Sequence, residues 1–154
     1  MSFRVTGLSS LPFRHLYGLS DEALAAEGVK RYVADGPGYP DRIEMRDGKP
    51  GETFLLLNHV CQQADSPYRA SHAIFVREGA EDTFDQRDTI PEAMRTRLLS
   101  LRAFDESGMM VDADIVEGKE VEGVIEKLFE NSDVSYIHAH NAIRGCYSGR
   151  IDRD

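Results

Sequence analysis

Between residues 119 and 131 the chain places Val121, Val124, Ile125, Leu128 and Phe129 at helical spacing, so all five fall on one side of an α-helix. Glu120, Glu122, Glu126, Lys127 and Glu130 form its polar side. Two shorter helices are predicted. Ser20 can cap one over residues 20–27, with Leu19, Ala23, Leu24 and Ala26 as its apolar side and Gly28 as its stop. Thr89-Ile90-Pro91-Glu92 reads as a capping box and predicts a helix to about residue 99. Elsewhere the apolar runs are short and separated by turn signals, which predicts strands over 31–34, 41–45, 53–58, 72–77, 100–104, 110–116, 134–140 and 147–152. Because these runs follow one another with only two helices among the later ones, the fold expected is α+β. It has about three helices and a curved sheet that is mainly antiparallel or mixed.

No repeat, low-complexity tract or linker divides the sequence, so residues 1–154 are read as a single domain. A chain of this length can bury roughly 68–70% of its unfolded surface and needs neither a disulfide nor a metal to complete a core. The 18 Lys and Arg against 27 Asp and Glu leave a net charge of −9, which argues against nucleic acid as a partner, since that affinity rests on clustered cations. The N-terminal residues carry no apolar signal core, and the longest aliphatic and aromatic run, residues 54–57, is far too short to span a bilayer. Cys61 and Cys146 sit in no CxxC pair, so the expected compartment is a reducing cytoplasm, with no membrane association.

The densest chemistry lies at the end of the 134–140 run. In a strand, Val134, Tyr136, His138 and His140 share one face, and Ser135, Ile137, Ala139 and Asn141 the other. Two histidines two positions apart, about 6.6–6.8 Å of strand rise, can act as acid and base or converge on one divalent ion. Asn141, Arg144, Gly145 and Cys146 follow, so an amide, a guanidinium and a thiol join two imidazoles within a few residues. Arg69, in the polar loop entering the 72–77 strand, suits a bidentate contact to a carboxylate or phosphate. Asp112 and Asp114 share a face of the 110–116 run and extend the metal-ligand candidates to His138, His140, Asp112 and Asp114, provided the two faces adjoin. The competing reading is structural: histidines satisfied at a sheet rim, solvated carboxylates and arginines in surface ion pairs. His15 and His59 have no companions and are read as structural, and Cys146 as an inert packing thiol. No GxGxxG, GxxxxGK, HExxH or GxSxG occurs.

Three segments together resemble a bacterial family catalogued as domain of unknown function 1203. They are Ser66-Pro67-Tyr68-Arg69-Ala70-Ser71 with residues 74–78, Arg102-Ala103-Phe104-Asp105 with residues 108–114, and His138-Ala139-His140-Asn141 with Gly145-Cys146-Tyr147. The resemblance covers almost the whole chain and implies no activity. Where Asp41 stands the family looks like cysteine, and where His72 stands it looks like Ser-Gly-Pro. The resemblance therefore implies neither a multi-cysteine centre nor a catalytic His72.

Three functions are open on this sequence. The first is a small cytoplasmic enzyme or ligand-binding protein with its pocket at the end of the 134–140 strand, His138 or His140 as acid and base, and Arg69, Asn141 and Arg144 holding a small anionic ligand. The second is a non-catalytic interaction or scaffold protein, expected as a homodimer. The third is a divalent-metal-binding protein.

Overall fold

The computed structural model describes residues 1–154. Six strands form one antiparallel sheet: β1 (Phe3–Thr6), β5 (Asp85–Arg87), β6 (Leu98–Phe104), β7 (Met110–Glu117), β8 (Tyr136–Asn141) and β9 (Tyr147–Arg153), in the order β5-β1-β9-β8-β6-β7. The other three, β2 (Lys30–Val33), β3 (Thr53–Gln62) and β4 (Ala70–Arg77), form a second antiparallel sheet in sequence order. Three α-helices accompany them: α1 (Asp21–Ala26), α2 (Glu92–Arg95) and α3 (Val121–Phe129). The architecture is the expected α+β.

Residues directly opposite across two strands share a face, so the strand registers assign the layers. Leu99, Leu101 and Ala103 of β6 stand beside Asn141, Ala139 and Ile137 of β8, and Ala139 and Ile137 beside Gly149 and Ile151 of β9. Their apolar members meet Val121, Ile125, Leu128 and Phe129 of α3 and Met94 of α2 in the larger of two buried clusters. The helical stripe thus covers this face of the large sheet, as its 3.6-residue period requires. A second cluster fills the inner face of the small sheet with Leu55, Leu57, Ile74 and Val76 and takes Tyr147 from the large one. The small sheet therefore packs on the opposite face of the large sheet near β8 and β9.

Ser20 caps α1 as expected, its Oγ accepting from the Ala23 amide at 3.1 Å. Ser20→Ala is expected to cost about 1 kcal/mol in a urea denaturation series, and an unchanged midpoint would remove the cap from the account. The capping box at Thr89 does not form. Thr89 Oγ1 donates instead to the Arg87 carbonyl at 2.9 Å, Pro91 is the N-cap, and α2 ends at Arg95. The sheet claims the chain from Leu98 onwards because alternating Leu99, Leu101 and Ala103 bury more as a strand than one further helical turn would.

The 41–45 segment is not a strand. Asp41 accepts hydrogen bonds from the Glu44 and Arg77 amides at 2.5 and 2.7 Å, and Met45 adopts φ 57°, so the chain folds into a tight bend with Asp41, Arg42, Ile43 and Met45 all buried. Burial pushes the Asp41 carboxyl above its ordinary range. β1 and β5 lie in segments with no strand expected: β5 is three exposed polar residues, organised by its ladder to β1. No helix is long and apolar enough to cross a membrane.

Candidate functional site

β8 lies between β9 and β6 and is buried along its whole length. Its apolar side chains face α3, which leaves Tyr136, His138 and His140 towards the small sheet. Val134 precedes the strand and turns into the helix-side cluster, away from the histidine face on which its spacing placed it. His138 and His140 are each only 3% exposed. Around them is an aromatic array: His138 contacts Phe104, Tyr136 and Tyr147 with ring centroids near 5.2 Å, and His140 lies 5.8 Å from Tyr147 and 5.0 Å from His72 of β4.

The β3–β4 loop closes this space from above. Gln62, the last residue of β3, donates from its amide to Tyr136 Oη at 3.0 Å, and Ser66 Oγ ties the loop itself to the large sheet by donating to the Gly108 carbonyl at 2.9 Å. Gly108 takes φ 83° in the β6–β7 turn, where an added Cβ would run into Ala64. The close approach of loop and turn therefore needs glycine at this position. Cys61 follows Leu57 and His59 on the inner face of β3, and the bulge at Val60/Gln62 turns Gln62 inwards as well. The result is a cavity of about 260 Å³ whose polar lining is His138, His140, Arg69, Arg102, Gln62 and Cys61.

Of the residues expected to form a site, His138, His140 and Arg69 meet at this cavity. Arg69 donates from Nη1 to the Gln63 carbonyl at 2.6 Å, and Arg102 from Nε to Ser100 Oγ at 3.4 Å; neither faces a carboxylate. Arg102 stands opposite His138 on β6, a position that only the strand register reveals. Asn141 lies on the other side of β8, with Nδ2 3.5 Å from Cys146 Sγ. Arg144 is exposed on the following turn and bonds to nothing. Asp112 and Asp114 stand beside Ala103 and Leu101, whereas Ala113, between them, stands beside Arg102. Both carboxylates are therefore on the helix side of the sheet, where Asp114 reaches Lys127 at 3.6 Å, and they do not join the histidines.

Burial, reinforced by His140, Arg150 and Arg102, lowers His138 to about 3. Burial also lowers His140, to about 4, with Arg102, His72 and Arg42 adding to it and the Gly145 carbonyl opposing it. Both imidazoles are thus neutral at pH 7. His138 Nδ1 at the cavity and Asn141 Oδ1 on the other side of β8 are buried with no hydrogen-bond partner within the protein. His140 Nδ1 lies 2.9 Å from the Gly145 carbonyl. A carbonyl can only accept, so Nδ1 carries the proton and Nε2 keeps its lone pair. Cys61, His72 and His140 bring one ligating atom each to within 4.8 Å of one another.

Beneath the site lies Arg42, which sequence reading passed over because the segment looked like a strand. Its guanidinium is fully buried, donating to the Tyr147 and Pro40 carbonyls at 2.8 Å each and to Cys146 Sγ at 3.1 Å. Cys146 is half-buried, so the cation beside its sulfur comes from this bend and not from Arg144.

No curated protein matches the chain, and no solved structure does. The family model described as Protein of unknown function (DUF1203) matches residues 38–153, a span that holds every lining residue of the cavity. The chain belongs to that DUF1203 family.

Proposed function

We propose that the cavity between the two sheets binds a small anionic molecule, with Arg69 and Arg102 as its cationic contacts and His138 as a neutral hydrogen-bonding partner. One observation carries this reading: both guanidiniums line the cavity without a carboxylate, in a chain with a net charge of −9 whose Arg31, Arg46, Arg77, Arg95 and Arg97 all stand against acids. Where acids outnumber bases, an arginine left unpaired at a concave site is more informative than a paired one. The guanidinium fork matches carboxylate and phosphate oxygens. A volume of about 260 Å³ lies at the lower end of ligand pockets and favours a compact ligand.

The same histidines support binding more than acid–base catalysis. A general base works best with its pKa near the operating pH, and imidazoles held at about 3 and 4 are far below it. Two free cysteines fit a reducing compartment such as the cytoplasm.

Calorimetric titration with inorganic phosphate and a panel of small mono- and dicarboxylates tests the reading. At least one probe is expected to bind, and Arg102→Gln to weaken it about tenfold or more, the loss of one charge-assisted contact. Arg144→Gln, outside the cavity, should bind as the wild type does. An Arg102→Gln protein with unchanged affinity, or no binding by any probe at millimolar concentration, overturns the proposal.

A further inference from the structure

We infer that Cys61, His72 and His140 form a binding site for a single Zn2+ ion, with the fourth coordination position opening into the cavity. This goes beyond the anion-binding reading and does not depend on it.

The three ligands come from separate places in the fold. Cys61 is the bulged residue of β3, His72 lies on the inner face of β4, and His140 is on β8 of the other sheet. The His59↔His72 pairing, in line with Leu57↔Ile74 and Leu55↔Val76, sends His72 inwards towards β8. Cys61, two residues beyond His59 on the same face of β3, comes to the same place, its Sγ 3.5 Å from the carbonyl of Ala70, two residues before His72. Mutual separations within 4.8 Å compare with about 3.4–3.6 Å between ligand atoms on a tetrahedral zinc, from metal–nitrogen and metal–sulfur lengths of about 2.0–2.3 Å. Side-chain shifts of about an ångström make up the difference.

A second observation points the same way. His140 holds its Nδ1 proton on the Gly145 carbonyl, which presents the Nε2 lone pair to the cluster, as metal-ligating histidines are ordinarily held by a carbonyl or carboxylate behind them. Gly145, at φ 82°, shapes the turn that puts this carbonyl in place. His138 Nδ1, two residues away, has no such partner, so the orientation belongs to His140 and not to the strand in general.

The donor set selects the metal. One thiolate and two imidazoles without a carboxylate suit Zn2+ and exclude the oxygen-seeking Mg2+ and Ca2+. Binding replaces the Cys61 S–H proton with the ion and releases that proton to solvent. The bound centre keeps one net positive charge, because Zn2+ meets a single thiolate. Three protein ligands with an open position are the pattern of zinc sites that engage a further molecule, whereas structural sites use four. Cys61 and His140 both line the cavity with Arg69 and Arg102, so the open position faces the same space.

The test uses tag-free, chelator-treated full-length protein in a buffer without phosphate or carboxylate. Zn2+ is expected to bind with a stoichiometry of one, and Co2+ to give the thiolate-to-cobalt charge-transfer band and tetrahedral d–d absorption. Cys61→Ser and His72→Asn should lose the charge-transfer band and the stoichiometric binding while keeping their far-ultraviolet circular dichroism. Cys146→Ser should keep both. If a variant does not fold, X-ray absorption on the zinc-loaded wild type decides, with one sulfur and two imidazole nitrogens expected. Absence of Zn2+ binding at micromolar metal, a cobalt spectrum without the thiolate band, or a band surviving Cys61→Ser overturns the inference. Phosphate or carboxylate binding by the chelator-treated protein is read separately, so failure of the metal site and failure of the anion site are distinguishable.

Discussion

Arg42→Met is expected to lower the stability of the protein by about 2–4 kcal/mol, the largest effect of any single substitution around the site. Two opposing terms decide the sign. Burial penalises the Arg42 charge, which has no carboxylate bonded to it, so removing the cation relieves a cost. Against that, methionine leaves the Pro40 and Tyr147 carbonyls buried without their donors, at about 1–3 kcal/mol each. The second term wins because both acceptors are backbone groups that the substitution cannot remove. The loss is a large part of the ~5–15 kcal/mol that holds a domain of this kind together. It also falls on the site, since Tyr147 packs edge-on against His138 and His140. Urea denaturation followed by circular dichroism measures it, and a midpoint equal to wild type would remove Arg42 as the fastener between the bend and β9.

Lowering the pH from 6.5 to 5 is expected to destabilise the metal-free protein steeply. His138 and His140 are held at about 3 and about 4 in the folded chain against about 6.5 when unfolded. Between those values the unfolded state binds the extra protons, so stability rises with pH through this window and falls as acid is added. The stability is fully present above about 6.5 and is lost progressively towards the folded values. Each histidine contributes a slope of up to about 1.4 kcal/mol per pH unit. Among the carboxylates, Glu52 and Glu78, held near 2 by Arg46 and Arg31, are ionised above pH 5 in both states, whereas Asp41, raised by burial, opposes the histidine slope. Urea midpoints from pH 7 to 5 read the slope. His138→Gln should flatten it, with His140 and the burial-lowered His59 and His72 carrying what remains, and a wild-type midpoint constant over this range would overturn the neutral, buried assignment.

Much of the fold was legible because its elements obey local rules. α1 follows from Ser20 and Gly28, and α3 from a 3.6-residue stripe that buries Val121, Ile125, Leu128 and Phe129. Failures came where a long-range partner outbid the local signal. Thr89 reads as a cap, yet the chain beyond it belongs to β6. The 41–45 run alternates like a strand, yet the Asp41 carboxylate takes two amides and bends it. β5 has no apolar signature because its ladder to β1 is all that organises it.

The site divides along the same line. Tyr136, His138 and His140 facing one way follows from the two-residue period of a strand, and Arg69 on a loop at that face follows from its chemistry. Arg102 joins the histidines only when β6 is laid beside β8, and Arg42 only when the bend is folded under β9. The same pairing sends Asp112 and Asp114 to the far side, since a neighbouring strand shifted by one residue would have placed them with the histidines.

The sequence by itself determined the α+β class, the principal helix and most strands, the family, and the histidine face of β8, because each is written in spacing over a few residues or in motifs that need no partner. Tertiary structure alone decided which residues share the cavity. Cys61, Gln62, Arg102 and His140 come from three strands in two sheets, and their meeting depends on one bulge, one register and the packing of the sheets. Those are set by which faces bury the most apolar surface and satisfy their backbone partners across the whole chain, a balance that no local stretch contains.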